Sequence, residues 1–269
     1  MEFNRFTSST LSSTSTVFRQ HRTLVAAAAA AAVITGISIS LLPRIADDYR
    51  AWYALGPNGI PLNPLGYIFQ SMAKPFARRD VRSPAPYDES KLSKRYGPII
   101  LRSFLPRPLS PRSGERPEVP DFVGPHRQTT QEGGPAVREK QEAFLHALAA
   151  ANPSLIQVKP SHLEGPKFNG AWVADGITLR DDVKRLGGEF AHPHGEGSTH
   201  LVLSLVDAAK AIETGWAERH RMSGVGKLIP WGFVMIYAPR NEAELQVWKE
   251  FMVASARYTL GSDTEVVMP

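Results

Sequence analysis

From Thr199 to Leu205 the chain alternates, with Thr199, Leu201, Leu203 and Leu205 on one parity and His200, Val202 and Ser204 on the other. Strand side chains point to opposite faces with a period of two, so the leucines belong to a core and His200 to the far face. The same rule puts His192 and His194 on one side of a strand end at Phe190–His194. A turn through Gly195–Glu196–Gly197 then makes a hairpin that brings His194 beside His200. Residues Ala136–Ala151 predict a helix, with Pro135 suited to its first turn and Phe144, Leu145 and Leu148 as its apolar stripe. A second helix is expected from a cap at Asp207 to Thr214. A third follows Asn241, with Glu244 placed to close a capping box and Leu245, Trp248 and Met252 as its buried face. Leu155–Lys159, Ala171–Ala174, Ile177–Leu179 and Phe233–Tyr237 read as strands, and Asp181–Leu186 as a short helix. This irregular alternation predicts an α+β fold: one compact domain over 135–269, with a mixed or antiparallel sheet and packed helices.

Upstream the pattern changes. Residues Thr23–Leu42 are twenty in a row without a charge, long enough as a helix to span about 30 Å of bilayer core. They are expected to form one transmembrane anchor behind a Ser/Thr/Arg-rich tail over 1–22. A cleaved targeting segment is the competing reading, because the tail is nearly free of acid. The expected location is therefore membrane, single-pass, with an endomembrane or a mitochondrial site. Fourteen of the 22 prolines lie between Pro57 and Pro135, a density that excludes long helices and central strands. Residues 43–134 are expected to be a Pro-rich, basic juxtamembrane and linker region.

Composition alters this picture in two ways. The chain has no cysteine, which excludes disulfides, thiolate metal ligands and a cysteine nucleophile. Its net charge of +5 is uneven: residues 74–118 carry eleven basic against five acidic side chains, +6, whereas 136–269 carry fourteen against sixteen, −2. A nucleic-acid-binding domain would carry a basic face of its own, so no nucleic-acid partner is expected. Anionic membrane lipids suit a basic juxtamembrane segment better.

Four of the eight histidines, His192, His194, His200 and His220, fall between residues 192 and 220. Imidazole titrates near neutrality and binds first-row metals, so the cluster suits proton transfer or metal ligation. Hydrogen-bonded structural histidines are the third reading. Glu189 and Glu218 are candidate metal or hydrogen-bond partners, and Arg219 or Arg240 could stabilise an anion.

The run EFAHPHGEGSTHLVLS, followed by GWAERHRMSG and IYAPRNEAE, resembles the luciferase domain of fungal luciferases and their non-luminous relatives. The likeness is strongest from Gly187 to Tyr258 and weak across 80–170. Pro193 inside the His-x-His pair and Arg221 after His220 depart from the family pattern. The resemblance implies a membrane-associated enzyme that oxygenates 3-hydroxyhispidin, a styryl α-pyrone, with molecular oxygen. A peroxide forms and loses carbon dioxide, with no organic cofactor. Such chemistry asks for a base, an anion-stabilising cation and a dry aromatic pocket. His194, His200, His220, His192 and Arg219 are the expected catalytic residues, and Trp216, Tyr237, Arg240 and Trp231 the expected substrate-binding ones. No metal is expected; if one binds, His192, His194 and His200 would hold it. The alternatives are a non-catalytic small-molecule-binding or structural membrane-tethered domain and, third, a His-ligated metal enzyme.

Overall fold

A computed structural model describes residues 25–26, 40–226, 229–261 and 264–269, and the chain divides into two compact units, Met1–Ala51 and Trp52–Pro269. In the first unit residues 40–51 are helical, with an exposed Asp47–Arg50 ion pair at 3.2 Å. The expectation of a single-pass membrane protein is corrected here. Among the described residues no helix is long and apolar enough to cross a membrane. Residues 40–51 carry Arg44, Asp47, Asp48 and Arg50 within two turns, charges that a bilayer core would penalise. Most of the anchor expected at 23–42 lies outside the described residues.

The second unit is built on six antiparallel strands, β1 (Ile156–Ser161), β2 (Gly165–Val173), β3 (Glu189–Pro193), β4 (Thr199–Val202), β5 (Ala217–Arg219) and β6 (Phe233–Ile236), in the order β1-β2-β3-β4-β6-β5. Register sorts the residues by face. His192 pairs with His200, His200 with Met235, and Met235 with Glu218, so these four form one row across four strands. The adjacent row is Ala191, Leu201, Val234 and Arg219, which faces the other way.

Helices cover that second face. The unit's helices include α1 (Pro64–Ala73), α2 (Glu89–Tyr96), α3 (Pro135–Ala151), α4 (Leu205–Glu213) and α5 (Glu242–Leu260), of which α3, α4 and α5 pack on the sheet. Trp248 of α5 is 1% exposed, donates from Nε1 to Thr199 Oγ1 at 2.7 Å and meets Phe144 edge-on at 5.8 Å. Leu145, Leu148, Leu201, Leu245, Phe251 and Met252 are fully buried in the same core.

Several expectations change. Ile177–Leu179 is coil packed against the core, and Asp181–Leu186 gives only a short 3-10 turn at Lys184–Leu186. Ser204, not Asp207, caps α4, accepting from Asp207 N. The Asp207 carboxylate instead accepts from Ser103 Oγ and Phe104 N. Residues from Trp52 on, read as linker up to 134, belong to the compact unit and bury Trp52, Ile100, Phe104, Leu109 and Phe122. Prolines keep this stretch irregular, yet it still buries apolar side chains. Two of its arginines bind inward: Arg116 donates to the Ala217 and Ile212 carbonyls, and Arg112 pairs with Glu244 and the Ala238 carbonyl.

The β3–β4 hairpin closes at Gly197, whose φ is 99°. A Cβ there would lie 3.2 Å from Ala238 Cβ and from Gly133 Cα. Gly197→Ala is therefore expected to cost at least about 1–2 kcal/mol, measurable as a lowered denaturation midpoint.

Candidate functional site

The face opposite the helices carries five imidazoles, each at most 8% exposed: His126, His192, His194, His200 and His220. Strand parity supplies His192 and His200, the hairpin turn supplies His194, and the residue after β5 supplies His220. His126 comes from the Pro-rich coil that lies over this face. Phe233 packs under the rings, its centroid 5.0 Å from that of His200 and 5.5 Å from that of His220.

His200 is the hub. Its Nε2 lies 3.0 Å from His126 Nδ1, and its Nδ1 lies 3.0 Å from His194 Nε2 and 3.3 Å from His192 Nε2. Carboxylates stand at the ends of this network. Glu218 Oε1 lies 3.0 Å from His126 Nε2, while its Oε2 accepts from Tyr237 Oη at 3.1 Å and Arg82 Nε at 3.2 Å. Glu189 Oε1 is 2.8 Å from His192 Nδ1, though off the line of the ring N–H, since that nitrogen makes no aligned hydrogen bond. We treat the contact as electrostatic. Glu189 also accepts from Ser161 Oγ and His162 N. His194 Nδ1 meets Ser198 Oγ at 2.8 Å, and that hydroxyl donates to Glu196. His220 is placed differently: its Nδ1 accepts from Met222 N at 3.0 Å.

Charge follows from this arrangement. Burial pushes the His200 and His220 pKa values well below the ordinary imidazole range, and the neighbouring imidazoles push the same way. Burial also lowers that of His126, overcoming the hydrogen bond and charge of Glu218. Burial works against ionisation of Glu218, Glu189 and Glu196, but their histidine partners hold all three below the usual carboxylate range. At neutral pH His126, His200 and His220 are thus neutral imidazoles, and the carboxylates at the edge are anions. Burial and the Glu218 charge raise the Tyr237 phenol, which remains a donor.

The other sequence candidates go elsewhere. Arg219 sits on the helix-facing parity, where it donates to the Trp231 and Pro84 carbonyls and lies over Tyr87 at 5.2 Å. Arg240 is bound by Glu244 and by Ser113 O. Trp216 is core, 7% exposed, with its Nε1 on Ser110 O at 2.8 Å. Trp231 borders a separate cavity of about 90 Å³. Only Tyr237 of the expected substrate-binding residues reaches the histidine network, through Glu218. A cleft of about 430 Å³ does reach it, lined by Arg138, Gln141, Lys167, Phe168, Pro193 and His194.

Four of the five buried imidazoles fall within residues 187–255, which match the family described as Luciferase domain. The luciferase of Armillaria gallica is 30% identical over 93% of both chains. That of Armillaria ostoyae is 29% identical over 89% of both, and that of Neonothopanus nambi 28% identical over 80% of this chain and 81% of its own. The chain belongs to the fungal luciferase family. No solved structure matches it.

Proposed function

We propose that this protein is a luciferase-family oxygenase acting with molecular oxygen on an enol-bearing aromatic or α-pyrone small molecule of the 3-hydroxyhispidin type. The observation that carries the reading is the buried, carboxylate-edged imidazole network on one sheet face. Deprotonation of an enol gives an electron-rich enolate that reacts with oxygen, and a buried neutral imidazole is suited to take that proton. Phe168 and the Gln141 and Lys167 side chains of the adjoining cleft supply an aromatic wall and polar groups for such a ligand, and the cleft volume lies in the range of small-molecule sites. In the proposed reaction oxygen adds to the pyrone, the peroxide closes on the lactone carbonyl, and carbon dioxide leaves. One oxygen molecule enters and one carbon dioxide leaves per substrate.

A second reading, a small-molecule-binding domain without turnover, is favoured by the depth of the cluster, since His200 is 5% exposed. Oxygen uptake, carbon dioxide release and photon counting with purified protein and 3-hydroxyhispidin separate the two. Coupled uptake and release is the expected result; saturable binding of the pyrone with neither gas exchanged would leave the binding domain.

A further inference from the structure

We infer that His192, His194 and His200 form a binding site for one divalent first-row transition-metal ion. The inference stands on donor geometry and holds whichever substrate the domain takes. His192 Nε2, His194 Nε2 and His200 Nδ1 converge, with the contacts to His200 at 3.3 and 3.0 Å and all three ligand atoms within 4.8 Å of one another. Three nitrogens bound to one ion at ~2.0–2.1 Å stand about 3.0–3.4 Å apart, depending on coordination number.

The surrounding acceptors decide where the ring protons sit. The charge of Glu189, 2.8 Å from His192 Nδ1, favours the proton on that nitrogen even without an aligned hydrogen bond. Ser198 donates to Glu196, so its oxygen accepts from His194 Nδ1. Glu218 takes the Nε2 proton of His126, which leaves His126 Nδ1 to accept from His200 Nε2. Every neutral ring is then protonated on the nitrogen that faces away from the meeting point. Three lone pairs converge there with no hydrogen between them. A single proton could satisfy only one of those contacts, whereas a metal ion satisfies all three. Metal-bound histidines characteristically direct the other ring nitrogen to a carboxylate, a carbonyl or water; here the outward nitrogens face the Glu189 charge, the Ser198 hydroxyl backed by Glu196, and His126 backed by Glu218. Glu164, whose Oε2 lies 4.0 Å from His194 Nε2, adds a further oxygen within reach, and the negative edge favours a cation. Imidazole donors select zinc, iron, cobalt, nickel or copper over magnesium or calcium.

A second set of three, His126, His200 and His220, also has converging atoms, but it fails the same test. His220 Nδ1 accepts from Met222 N, so the neutral ring carries its proton on Nε2, the nitrogen that would have to ligate. His220 therefore serves as the internal control. A cation at the first set would hold the negative charge of an enolate by the same electrostatics as an imidazolium.

Full-length protein purified without chelator should carry about one equivalent of such an ion by elemental analysis. After chelation, Co²⁺ added to the wild type should produce visible d–d bands and raise the melting temperature. His192→Ala and His194→Ala should weaken Co²⁺ binding by at least 100-fold, and Glu189→Gln by roughly 10–100-fold, while His220→Ala keeps wild-type affinity. A wild type that holds no metal and shows no Co²⁺ response overturns the site, as does loss of binding in His220→Ala with retention in His192→Ala. None of these readouts uses turnover, so the oxygenase reading stands or falls separately, and the wild-type titration does not depend on any variant folding.

Discussion

His200→Ala is expected to lower oxygenase turnover by roughly 10²–10⁴-fold, the range for loss of a positioned proton-transfer group. Among the described residues His200 is the one imidazole that touches His126, His192 and His194 at hydrogen-bonding distance. Its removal separates the Glu218 side of the network from the Glu189 and Glu196 side. His126 Nδ1 then loses its donor in a buried setting, which costs about 1–3 kcal/mol of stability. Turnover is therefore to be compared well below the melting temperature of the variant, with circular dichroism confirming the fold. His146→Ala is the matched control, because that ring is 60% exposed and pairs only with Glu142 on its own helix. An effect of equal size at His146, or full turnover without His200, would remove the cluster from the chemistry.

Acid should unfold this domain early. His126, His200 and His220 all have pKa values depressed by burial below the ordinary 6.5. The unfolded chain therefore takes up protons near pH 6.5 that the folded protein refuses. Stability is present in full above about pH 6.5 and is lost as pH falls from there towards the folded-state values, by up to about 1.4 kcal/mol per pH unit for each histidine. Three acting together contribute up to about 4 kcal/mol per unit, a large part of the stability of an ordinary domain. Glu218 and Glu189, with depressed pKa values, add their own loss only below the ordinary carboxylate value of 4.5. Urea denaturation at half-unit intervals from pH 8 to pH 5 would show it. A free energy of unfolding that stays level between pH 7 and pH 5.5 would mean the rings are not buried neutral.

The part of this site carried by regular strands was legible from parity alone. His192 and His200 lie opposite the leucines because alternation has one solution once a core face exists, and the two glycines of the turn return the chain. What could not be read came from elements without a period. His126 lies in a Pro-rich coil, where neither spacing nor hydropathy says which way a side chain points. Strand β5 is three residues long, too short to show alternation, so Glu218 and Arg219 look equivalent in sequence although only the first reaches the histidines. Asp207 was a plausible cap by type, but Ser204 stands three residues earlier and its hydroxyl reaches the free N–H, leaving Asp207 to bind Ser103 and Phe104. Trp216 and Trp231 lie away from the histidines, because a tryptophan next to a histidine motif is as easily core as pocket. The Pro-rich region has the low periodicity of a linker, yet irregular backbone buries side chains as well as regular backbone does.

That coil is fastened to the sheet by arginines: Arg112 and Arg116 grip carbonyls and Glu244, and Arg127 grips the Leu55 and Pro57 carbonyls together with Glu164. The sheet face and the coil above it are thus held by different physics, the first by strand register and the second by buried side chains and a few arginine clasps. Guanidinium groups meeting main-chain oxygens place little demand on the exposed side chains in between. Those exposed positions are free to change while His126 and the buried anchors keep the coil seated, so the outer surface of the coil can be redrawn without disturbing the row of imidazoles beneath it.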